Sequence, residues 1–158
     1  MIKVYVKKQG SYPISSPKLK KTLADFFASQ GIVSESDVHI LIVNKNEMMD
    51  LGRKYLSKKD SVHNVLSFVT AEAKQPFVEP PDKILHLGDI AVCYPIAAAD
   101  ASIEGILVEE KVIELLIHGA YHLLGKHHEW AFLCRKVFQI AAIGIYDNFV
   151  SKIPPAKN

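Results

Sequence analysis

Four short apolar runs interleaved with about five helix-patterned segments predict a layered domain of the α/β or α+β class. Three observations carry this. The short runs are rich in β-branched residues, the longer segments repeat apolar residues at helical spacing, and turn signals separate the two kinds. At 158 residues the chain suits one domain with a real hydrophobic core.

Ile2, Val4 and Val6 alternate with Lys3 and Tyr5, which predicts a first strand over Ile2–Val6. Ser16-Pro17 reads as an N-cap followed by proline at the first helical position. Leu19, Leu23, Phe26 and Phe27 then recur at helical spacing, and Gly31 supplies the stop. Val38–Val43 is a second strand. Lys45–Leu56 is a helix whose expected buried side is Met48, Leu51 and Tyr55, and Val65–Val69 is a third strand. Residues 74–84, with Pro76, Pro80, Pro81 and several charges, read as a surface loop within the same domain. Gly88–Tyr94 is the fourth strand and Pro95 opens a short helix. A long apolar helix runs over about Val108–Leu124, and a last one over Trp130–Val150. Pro154-Pro155 ends ordered structure, so the reading is one domain over 1–150 and a tail over 151–158.

Composition narrows the class of function. Hydrophobic residues are 49% and charged residues 23%, the balance of a soluble globular protein. The net charge of +2 permits a nucleic-acid partner without demanding one. Cys93 and Cys134 lie far apart and form no CxxC pair, so both read as buried, reduced thiols. MIKVYVKKQG has no apolar signal region. The apolar stretch from Ala131 to Val150 is broken by Arg135, Lys136, Gln139, Asp147 and Asn148, which fits an amphipathic core helix rather than a membrane span. The expected compartment is the reduced cytoplasm.

The chemistry concentrates in one segment. Of seven histidines, His118, His122, His127 and His128 fall within eleven residues. Residues four apart on a helix share a face, so His118 and His122 present two imidazoles to one ion. His128 would point away if the helix continued. Gly125 can end the helix in a left-handed conformation and return the chain. Three histidines leave a fourth position for water, the pattern of a catalytic zinc, one per chain. Zinc-bound water has a pKa near 7. His128 is preferred over His127 as the third ligand.

The surrounding helix is apolar nearly all round, from Val112 through Leu124, with Lys111, Glu114, His118 and His122 as its polar line. That pattern points to a buried helix with one side on a cleft. Glu114 is a candidate second partner for an imidazole, and equally a solvated glutamate. His39, His63 and His86 stand isolated and read as structural residues.

His118-Gly119-Ala120-Tyr121-His122-Leu123-Leu124-Gly125-Lys126-His127-His128 matches HGxxHLxGxxH, the hallmark of the YbeY-type rRNA maturation factors, which this sequence resembles. Asn64-Val65-Leu66-Ser67-Phe68 is similar to that family's (T)(D/N)VLSF strand, and Leu87-Gly88-Asp89-Ile90 to its LGDI strand. The likeness covers about residues 35–150. It implies an α+β fold: a small four-stranded mixed sheet flanked by about five helices, with the zinc site at the end of a central buried helix. It also implies a cytoplasmic zinc-dependent endoribonuclease acting on ribosomal RNA, including the small-subunit 3′ end, and so the small ribosomal subunit as partner. Neither membrane nor DNA is an expected partner.

The sequence departs from the family in three places. Tyr55-Leu56-Ser57-Lys58-Lys59-Asp60 stands where the family has Tyr-Arg-Gly-Lys-Asp, so the arginine that helps hold RNA is missing. Lys58 and Lys59 supply charge there, but lysine does not grip a phosphate bidentately. His63 replaces a threonine, and His127 an aspartate. On the endoribonuclease reading, Lys58 and Lys59 steady the RNA backbone and Asp89 or His127 handles protons. Lys18, Lys20, Lys21 and Lys54 are candidates for a basic face. The alternative is a non-catalytic, zinc-containing ribosome-assembly factor. A metallopeptidase of the HExxHxxGxxH type fits less well, because Gly119 stands where that chemistry needs a glutamate base.

Overall fold

The computed structural model describes residues 1–56, 62–70 and 84–126. Within them lie β1 (Ile2–Lys8), α1 (Ser16–Ser29), β2 (Ser36–Val43), α2 (Lys45–Leu56), β3 (Val65–Val69), β4 (Leu85–Cys93), α3 (Tyr94–Glu104) and α4 (Val108–Leu123). The four strands form one mixed sheet in the order β1-β2-β4-β3, with β1, β2 and β4 parallel and β3 antiparallel to β4. This is the expected α+β fold. The expected helix over Trp130–Val150, the tail from 151, Cys134 and nearly all of the 74–84 loop lie outside the described residues.

Alternation along the strands divides the core. Val4, Val38, Ile40, Ile42, Ile90 and Val92 point to the face covered by α1 and α4, where they meet Leu19, Leu23, Phe26, Phe27, Leu116 and Ala120. The opposite face carries a smaller cluster of Val43, Leu66, Ala91 and Cys93, closed by Met48 of α2. Phe26 packs edge-on against Tyr121 at 4.8 Å, locking α1 to α4. Cys93 is the buried thiol expected, and burial pushes its pKa up.

Several boundaries shift. The N-cap of α1 is Ser15, not Ser16, because Ser15 Oγ accepts from the Lys18 N–H. In α2, Met48 and Gly52 are the buried residues. Leu51 is partly covered, and Tyr55 sits at the rim, its ring 4.5 Å from that of Phe68. β4 starts three residues before Gly88. No helix of the described residues is long and apolar enough to cross a membrane.

Candidate metal centre

The helix that carries the histidine pair is fixed on nearly every side. Val112, Ile113, Leu115, Leu116, Ile117, Ala120, Tyr121 and Leu123 are all buried. Gly119 lets α4 approach the sheet closely, since a Cβ there would lie 2.7 Å from Ile90 Cγ2. The glycine of the motif is therefore a packing residue, and a glutamate at this place has no room.

On the outer side of that helix the Nε2 atoms of His118 and His122 stand 3.0 Å apart, with ring centroids at 4.6 Å. Two nitrogens bound to a tetrahedral zinc at its usual bond length lie ~3.3 Å apart. The pair thus fits two positions of such an ion. His118 is exposed and His122 half-buried.

Gly125 ends the helix as expected. It is left-handed at φ 70°, its N–H donates to His122 O at 3.0 Å, and Lys126 N–H donates to Tyr121 O at 3.1 Å. This is the two-bond closure of a Schellman motif. Lys126 Nζ then reaches Gln30 Oε1 at 2.8 Å, so the exit of the chain is tied to the end of α1. His127, His128, Lys58 and Lys59 lie outside the described residues.

The rest of the polar line on α4 does something else. Lys111 is buried and paired with Glu104 at 2.7 Å and Glu114 at 3.1 Å. Burial disfavours its charge, but the two carboxylates outweigh that and raise its pKa. Glu114 therefore serves Lys111, not an imidazole. Lys18 is bound to Glu109 and Lys21 to Asp25, so two lysines of the expected basic face are matched by acids.

Asp89 does not join the pair. Ile90 faces Gly119 of α4, so Asp89 faces the other side of the sheet, 3.4 Å from His39 Nδ1 and 3.4 Å from His86 Nε2. Asp37 approaches His86 Nδ1 there as well. The sequence reading misses this group of Asp37, His39, His86 and Asp89. Its only early signal is the alternation of Asp37 and His39 on one strand, and the pairing with β4 is non-local.

A mixed sheet under a buried helix, with two imidazoles converging at the helix end, defines a small α+β protein with a histidine pair as its candidate site. The family model for endoribonuclease YbeY matches residues 5–138. An endoribonuclease YbeY of Dehalococcoides mccartyi is 36% identical over 136 residues, covering 81% of this chain and 78% of the relative. One from Thermus thermophilus is 34% identical over 113 residues, covering 72% and 76%. The solution structure of TM1509 from Thermotoga maritima superposes with a TM-score of 0.55 over the whole of both chains at 23% identity, a likeness of fold. The chain belongs to the endoribonuclease YbeY family, a family of RNA hydrolases.

Proposed function

We propose that this protein is a metal-dependent endoribonuclease directed at single-stranded stretches of ribosomal RNA, acting in small-subunit 3′-end maturation and ribosome quality control in the cytoplasm. Membership of the YbeY family supports the RNA hydrolase. The observation that carries the metal is the 3.0 Å approach of His118 Nε2 and His122 Nε2 on one side of a rigid helix. His118, His122 and His128 would together hold one zinc ion. When bound, zinc supplies Lewis-acid polarisation and a water acidic enough to attack at neutral pH.

The chain's own residues do the rest. Gly125 and the Lys126–Gln30 contact set the direction in which the chain leaves α4 at Lys126. His127, beside the third ligand, is the candidate proton carrier. Lys58 and Lys59, just before β3, neutralise phosphate in place of the family's arginine. Asp89 has no part in this proposal because its carboxylate faces the opposite side of the sheet.

The test is cleavage of structured ribosomal RNA by purified protein, compared as isolated, after chelator stripping and after zinc is restored. The expected result is loss on stripping and return with zinc. A protein that keeps one zinc per chain yet cleaves in no sample is an assembly factor, as the missing arginine would favour.

A further inference from the structure

Three residues unused by the function above converge on the sheet face turned away from α4. Asp37 and His39 come from β2 and His86 from β4. Each offers one ligand atom, and these atoms all lie within 4.8 Å of one another. Asp89 adds a carboxylate 3.4 Å from a ring nitrogen of each histidine.

The backbone imposes this meeting. In the parallel β2–β4 ladder, Asp37 pairs with His86 and His39 with Asp89. Residues three apart on a regular strand point to opposite faces. An irregularity between Asp37 and Val38 leaves Leu87 as an extra residue on β4, so His86 and Asp89 share one face. Leu87 packs into the core on the other. Gly88 permits this backbone, with φ +147° and no space for a Cβ, which would lie 2.2 Å from Phe68 O.

We propose that Asp37, His39 and His86 form a second site for one divalent transition-metal ion, with Asp89 as a further donor. Two imidazoles with carboxylates are a borderline-soft donor set that suits zinc and its neighbours better than magnesium or calcium, which prefer oxygen alone. The side chains of Asp37 and His86 are 14% and 21% exposed, so the ligands sit on rigid strands, sheltered from bulk water. His39 is 49% exposed, which gives an ion a way in. Its ring is braced edge-on by Tyr5 at 5.2 Å. The site stands on β2 and β4 alone and does not depend on the three-histidine reading.

The experiment uses the full chain carrying His118→Ala and His122→Ala, stripped of metal and titrated calorimetrically with zinc chloride. The expected result is one zinc bound per chain, with affinity falling at least tenfold when His39→Ala is added. His39 is half exposed, so this change leaves the fold intact, which an unchanged melting temperature without metal will verify. Asp37→Asn is the second variant and should weaken zinc likewise. No zinc binding in the starting variant, or binding that neither added change weakens, overturns the proposal.

Discussion

Gly88 and Gly119 sit in two of the recognisable motifs, and neither touches the chemistry. Both are there because a methyl group does not fit. At Gly88 a Cβ would strike the backbone oxygen of Phe68 at 2.2 Å and Leu123 Cδ2 at 2.8 Å, at a φ of +147°. Backbone cannot move aside as a side chain can. Gly88→Ala should therefore cost about 3 kcal/mol, combining overpacking and an unfavourable dihedral. At Gly119 the obstacle is the side chain of Ile90, which is fully buried but can adjust. Gly119→Ala should cost less, about 1–2 kcal/mol. Urea unfolding of both variants checks the order. Equal losses would mean that the sheet relaxes at Gly88 more than this geometry allows. The histidine pair was legible from its spacing of four. The Asp37, His39 and His86 group was not, because its members meet only through the register of two strands distant in sequence.

At the level of elements, α4 is held at both ends by polar links that the apolar pattern does not announce. Glu109 Oε2 accepts from Lys18 Nζ at 2.6 Å, and its Oε1 from the Ser15 N–H at 3.0 Å, joining the starts of α1 and α4. Partial burial opposes the Glu109 charge, but these donors outweigh it and hold the carboxyl below its ordinary value of 4.5. A depressed carboxylate stabilises the fold above its unfolded pKa and loses that contribution as pH falls through the folded one. Glu109→Gln should thus lower stability by about 1 kcal/mol at pH 7, and the gap to the parent should narrow as pH falls below 4.5. Chemical denaturation of both proteins across pH 3–7 measures it. A gap independent of pH would show that the hydrogen-bonded shape matters and the charge does not. Strand and helix types were readable from periodicity. The direction of β3 was not, because alternation marks faces rather than direction, and direction is set by its pairing with β4. The early start of β4 was hidden because His86 interrupts the apolar run and the bulge at Leu87 breaks the alternation.

Across the described residues, the arrangement is a sheet with a buried helix on one face that ends at a closely spaced pair of imidazoles. The α+β class, the four strands and the central helix followed from sequence because long periodic segments and caps are local features. The mixed strand directions entered through family resemblance. Phe26 and Phe27, fully buried between α1 and the sheet, make the position of α4 depend on the whole core. Phe26→Ala should cost about 3–5 kcal/mol, read as a lower unfolding midpoint, and thus weaken zinc binding at the helix end indirectly. His122→Ala separates chemistry from fold more cleanly, since that side chain is only half-buried. The most direct measurement is RNA cleavage by His122→Ala beside its melting temperature and zinc content. Cleavage should fall at least a hundredfold and zinc should be lost at the helix end, with melting of the metal-free protein within a few degrees of the metal-free parent. Cleavage at the parent's rate by a folded His122→Ala protein would contradict this.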